Sequence, residues 1–205
     1  MRRKRFFHQK VILLMGALIT ILLSSYGLYK FNRGNHSQFF HYLGEEGPGI
    51  EAWSKFVAQN EHFSVFFPDE PIYSTKELSI PRSDNTLVYH EYRCRDKDKV
   101  ISVSYAVLPN DWLKWHAKTV LKRTIKVLMA RLKNTRLSGQ SANTFKSYPA
   151  LDFEHRLGER ETAGTLVLCK NVLYKLEISY PIHEHDQMRR QITQFIASFQ
   201  PSEVA

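Results

Sequence analysis

From residue 63 onward the chain alternates between apolar and polar positions. Phe63, Val65 and Phe67 fall on one side and Ser64 and Phe66 on the other, the period of a strand, and Pro68-Asp69-Glu70-Pro71 stops it. Residues 72–80 form a second strand candidate, ended by the turn cluster Pro81-Arg82-Ser83-Asp84-Asn85. Residues 86–95 alternate again, with Val88, His90, Tyr92 and Cys94 on one face. A charged turn, Asp96-Lys97-Asp98, leads to the β-prone run 100–108. The period then becomes helical over residues 111–133, where Leu113, Ala117, Leu121, Ile125, Leu128 and Leu132 share a stripe and Asn110 or Asp111 is placed to cap the start. Strands follow at 136–145, 150–157, 165–172 and 173–180, with turns at Ser147-Tyr148-Pro149 and between Gly158 and Gly164. A second helix is expected over 184–199, with Met188, Ile192, Phe195, Ile196 and Phe199 inward. Strands, helix, strands, helix, joined by hairpin-length links, predict an α+β domain in which helices cover an antiparallel sheet.

The first third of the chain has a different pattern. Residues 11–29 carry no charge, and as a helix they span roughly 28 Å, close to the hydrocarbon thickness of a bilayer. Residues 1–10 hold five basic side chains and no acid. That asymmetry places the N-terminus in the cytoplasm and the remainder outside, as a single-pass signal-anchor in the cytoplasmic (inner) membrane. The competing reading is a signal peptide cleaved near Ser25-Tyr26-Gly27, which gives a secreted protein. Residues 30–60, with Gly34, Gly44, Gly47, Pro48 and Gly49, read as a linker, in which 50–59 forms a short helix leading into the domain. The domain itself is assigned to 61–200 and a short tail to 201–205.

Net charge is +9, but seven of the basic residues lie in residues 1–33. Without them 22 basic residues face 20 acidic ones, so the domain lacks the basic excess of a nucleic-acid-binding module and no nucleic-acid partner is expected. Cys94 and Cys169 are a candidate disulfide in an oxidising compartment, against the alternative of two buried free thiols.

The order of several short segments resembles the PsbP/Mog1-like superfamily, in particular its membrane-attached or secreted bacterial members of unknown function. The segments are Phe63-Ser64-Val65-Phe66-Phe67-Pro68, the run 101–108 with Pro109, Ser147-Tyr148-Pro149-Ala150, Asn171-Val172-Leu173-Tyr174-Lys175-Leu176 and Phe195-Ile196-Ala197-Ser198-Phe199. The resemblance spans roughly residues 62–200 and implies an α/β/α sandwich around an antiparallel sheet. It also implies an accessory binding role, as of PsbP proteins in photosystem II and of Mog1 on Ran, with no catalytic residue to transfer.

Candidate chemistry is sparse. His183 and His185, with Glu184 and Asp186 beside them, have a spacing that suits zinc from an extended segment, but a stable site needs three or four ligands and no third is visible. The bland alternative is an acidic helix start favoured by the helix dipole. Lys114, Lys118, Lys122 and Lys126 form an i, i+4 row suited to anionic lipid or an acidic protein partner, against an ordinary solvated face. Trp112 and Trp115 mark either an interface or core packing. No G-x-S-x-G, G-x-G-x-x-G or P-loop motif occurs, so neither an enzyme nor a cofactor is expected. The reading is a membrane-tethered, non-catalytic accessory module. It is bound to the bilayer through residues 11–29 and joined to an unidentified protein partner. The alternatives are a small-molecule or metal-binding enzyme-like domain and a structural envelope protein that oligomerises.

Overall fold

The computed structural model describes residues 47–58, 63–79, 86–132 and 134–201. The basic tail 1–10, the anchor 11–29 and the linker up to residue 46 lie outside the described residues, as do 202–205 of the tail. Among the described residues no helix is long and apolar enough to cross a membrane.

Among the described residues, ten strands and three α-helices follow one another. They are β1 (Ser54–Val57), β2 (Phe63–Phe67), β3 (Ile72–Ser79), β4 (Thr86–Asp96), β5 (Lys99–Val107), α1 (Asn110–Leu113), α2 (Ala117–Arg131), β6 (Arg136–Phe145), β7 (Tyr148–Leu157), β8 (Arg160–Cys169), β9 (Val172–Pro181), α3 (His185–Ser198) and β10 (Gln200–Pro201). A 3-10 turn, Ile182–Glu184, leads into α3. The main sheet has seven antiparallel strands in the order β3-β4-β5-β9-β8-β7-β6; β1, β2 and β10 form a small second sheet. This is the expected α+β class, with one addition: α3 and the small sheet together cover one face of the main sheet, and α2 packs over β6, β7 and β8 on the other.

Two-residue turns set the registers. Asp96 pairs with Lys99, Phe145 with Tyr148, Leu157 with Arg160 and Cys169 with Val172. Lys97, Lys146, Ser147, Gly158 and Lys170 all have positive φ in these turns, the geometry that a tight hairpin requires. The α3 face is an aromatic core. Phe63 lies 5.5 Å from Tyr92, 6.0 Å from Tyr174 and 5.8 Å from Phe199, centroid to centroid. α3 adds Met188, Ile192 and Phe195, as its periodicity predicted.

Several expectations are corrected. The short helix expected within 50–59 is instead strand β1, which pairs with β2 and is preceded by the buried Trp53, so the folded unit starts inside the supposed linker. The single helix over 111–133 is two. His116 is extended, and neither start has a side-chain cap: the N-cap positions fall on Pro109 and His116, while Asn110 and Asp111 lie inside the first helix, where Lys114 bonds the Asp111 carboxylate at 2.7 Å. Leu113, cut off by that break, and Leu132, the extended residue just past α2, fall off the buried stripe and are 40% and 39% exposed. β8 begins at Arg160, so Gly164 is a mid-strand residue and not part of a turn. Cys94 and Cys169 are not joined; both are buried free thiols. Two strands, β5 and β9, separate theirs. At about 4.8 Å per strand the gap is roughly 14 Å, twice the ~7 Å that a disulfide can span.

Candidate functional site

On the face beneath α2 the central strands change from apolar to polar along their length. β9 presents Leu173, then Lys175, Glu177 and Ser179. Leu166 and then Gly164 and Thr162 of β8 follow the same direction, as do Phe153 and then His155 of β7. On β5 the matching sequence is Ala106, Ser104 and Ser102. The apolar ends pack against Val120, Leu121 and Ile125 of α2. The polar ends make the floor of a groove of about 480 Å³, walled by Leu128, Met129 and Leu132 at the end of α2. That volume lies in the range of small-ligand sites.

Lys175 and Glu177 form an ion pair in the floor, with only 13% and 18% of their side chains accessible. Ser102 Oγ also donates to Glu177, at 3.3 Å. Burial works against charge on Lys175, but Glu177 and Tyr89 outweigh it and raise its pKa. Burial pushes the Glu177 carboxyl up, and Lys175 more than reverses this, holding it below the usual carboxylate range. Tyr89 is raised, chiefly by burial. Burial lowers His155, which is 7% exposed and whose Nδ1 has no hydrogen-bond partner among the described residues. Gly164 makes the close floor feasible: a Cβ there would lie 2.1 Å from the Leu176 carbonyl oxygen and 2.9 Å from the Glu177 Cα.

A second polar cluster lies on the opposite face, at the start of α3. Glu161 is fully buried, 2.6 Å from His185 Nδ1, and accepts from Arg156 Nε at 3.0 Å. Tyr180 sits against it, and Glu154 is pushed up to about 7 by burial and then by the Glu161 charge. This is a structural tie between β8 and the helix start.

The sequence candidates are dispersed by the fold. His185 is engaged by Glu161, while His183 is exposed on the 3-10 turn; among the described residues no group of three or more His, Cys, Asp or Glu is placed to hold a metal. Lys118, Lys122 and Lys126 remain in a row on the outer side of α2, but Lys114 lies in the break before it, bonded to Asp111. Trp112 packs against the α2-side core, whereas Trp115 is 39% exposed with the Arg123 guanidinium 4.1 Å above its ring. The groove residues Lys175, Glu177, His155, Tyr89 and Ser102 were not singled out from sequence. The alternation Lys175, Glu177, Ser179 has the pattern of a strand's solvent side, and only the central place of β9 turns it into a floor.

No protein-family model matches the sequence, and no curated protein is significantly similar to it. The structure is similar to the solution structure of cyanobacterial PsbP (CyanoP) from Synechocystis, at 16% identity and a TM-score of 0.52, over 78% of this chain and 98% of that one. The domain thus has the PsbP/Mog1-like fold expected from the sequence. A Pseudomonas aeruginosa protein of unknown function, PA94, aligns at 9% identity and a TM-score of 0.44, over 74% of this chain and 99% of that one.

Proposed function

We propose that this chain is a membrane-tethered accessory module that holds its PsbP-like domain outside the cytoplasm and acts by binding, through the groove beside α2, without catalysing a reaction. The observation that carries this reading is the groove of about 480 Å³ whose floor holds the ion-paired, mostly buried Lys175 and Glu177. Lys175 is raised, Glu177 lowered and Tyr89 raised, each away from neutrality. Proton transfer is most efficient when the group's pKa lies near the working pH, and these shifts move all three groups away from it. The apolar residues 11–29 behind five basic side chains support the tether, with the bilayer as the first partner. The row Lys118, Lys122 and Lys126 is a second candidate surface, for anionic lipid or an acidic protein.

The test uses the full chain in intact cells, with alkaline phosphatase fused at the C-terminus and a photo-crosslinking side chain at either Lys76, on the groove rim, or Lys122, on the outer side of α2. Active phosphatase and a discrete adduct from Lys76 are expected. An inactive phosphatase reporter refutes the orientation. An adduct from Lys122 alone moves the binding surface to the lysine row.

A further inference from the structure

We infer that the groove takes an amphipathic monoanion: a carboxylate on a short apolar chain or ring, its head among the groove cations and its apolar part in a slot under α2. This rests on the reading of the groove as a binding site and specifies what it binds. Charge is the first argument. Lys76, Arg93, Arg131, Arg160 and Lys175 line the groove against only Glu91 and Glu177. Both carboxylates are already engaged, Glu91 by Arg93 at 3.0 Å and Glu177 by Lys175, which disfavours a cationic ligand. Arg160 donates to the carbonyl oxygens of Asp98 at 2.7 Å and Ser179 at 2.9 Å and to Ser179 Oγ at 3.3 Å, neutral acceptors, and among the described residues no carboxylate pairs with it. His155 adds an unsatisfied ring nitrogen in the groove wall. An anion held in such a partly dry, cationic site is favoured over its neutral isostere.

Shape is the second argument. A separate slot of about 80 Å³ lies between α2 and the sheet, walled by Leu87, Ala106, Leu108, Val127, Leu166 and Leu173. Tyr89, Leu128, Arg131 and Lys175 line both the slot and the groove, so an apolar volume and a cationic one meet at the same four side chains. A ligand with one charged end and one apolar end fits this pair of spaces, and neither a bare anion nor a neutral apolar molecule uses both.

The probes are 4-phenylbutyrate, its neutral amide and butyrate, titrated by calorimetry into the full chain in zwitterionic nanodiscs, with empty nanodiscs subtracted. Saturable binding of 4-phenylbutyrate is expected, with the amide and butyrate each at least tenfold weaker. Val127→Phe, which fills the slot, should erase the advantage over butyrate. Lys76→Glu, at an exposed site where folding is not at risk, should weaken the acid at least threefold and leave the amide unchanged. Equal binding of acid and amide overturns the inference, as does 4-phenylbutyrate binding that neither variant alters. If no probe binds while the Lys76 adduct persists in cells, the ligand class is wrong and the binding module stands; if both vanish, both readings fall.

Discussion

The two sides of β9 present different chemistry to the two layers of the molecule. Toward α3 the strand shows Tyr174, Leu176, Ile178 and Tyr180, all buried in a core shared with Phe63 and Phe199. Toward α2 it shows Lys175, Glu177 and Ser179, half-buried around a groove. The backbone is the same and the burial differs only in degree. One side is packed as an interior, and the other keeps charges in a place that apolar residues could fill at little cost to the fold. Replacing a buried ion pair by apolar residues is often neutral or stabilising, so the comparison separates what holds this domain together from what the proposed binding site would use.

The strongest way to break that contrast is to empty the packed side. Phe63→Ala removes a ring that touches Tyr92, Tyr174 and Phe199 and should cost about 3–5 kcal/mol in denaturant unfolding. A loss under 1 kcal/mol shows that the α3 side is not the main core. Next comes the ion pair. Lys175→Met or Glu177→Leu alone strands the other charge, and because the pair is partly accessible the cost should be roughly 2–3 kcal/mol. The double variant should lie within about 1 kcal/mol of wild type. Additive losses in that cycle mean that Lys175 and Glu177 are not coupled and that each stabilises the fold on its own, which removes the contrast with the packed side. A smaller effect, roughly 1–3 kcal/mol, is expected for Gly164→Ala, since its Cβ meets backbone atoms of β9 that cannot swing aside. An unchanged melting temperature shows that the strands part easily there.

The smallest effect sharpens the comparison through pH. Glu154, on the α3 side, has its carboxyl pushed from 4.5 to about 7, first by burial and then by Glu161. Between those values the folded protein holds a proton that the unfolded chain has released, so this group's stabilising contribution is lost as pH rises through the window. Glu154→Gln should flatten that decline by on the order of 1–2 kcal/mol. Asp152, raised to about 6 mainly by burial, tilts stability in the same direction and remains in the variant. His155, lowered, tilts it in the opposite direction and cancels between the two proteins. Parallel stability-against-pH curves for the two proteins refute the assignment.

How much was legible in the sequence follows from which interactions are local. β-prone runs bounded by turn signals located β2, β3, β4, β5 and β6 nearly to the residue, and one-sided burial is not the reason, since β2 and β5 are buried on both sides and residues 72–77 of β3 are mostly exposed. That reading failed at β8, where Gly164 reads as a breaker although it serves a close approach between strands. The same method missed β1, whose four residues gain their structure only by pairing with β2. The stripe on residues 111–133 was real over α2 and false at Leu113, because helical spacing says nothing about the extended His116 that ends α1's register. His185 and Glu161, 24 positions apart, meet only when α3 is set on β8.

The sequence by itself determined the α+β class, the antiparallel pairing, the apolar face of α3 and the charge asymmetry around residues 11–29. These depend on hydrophobic period, turn chemistry and charge along the chain. Tertiary structure alone decided that β9 lies in the middle of the sheet, that α2 stops short of its polar half, and that Lys175, Glu177 and His155 therefore share a floor. A charged residue on an alternating strand has the same local pattern whether it faces water or a groove. What distinguishes the two is which strands and helices arrive on either side, and no period along the chain records that.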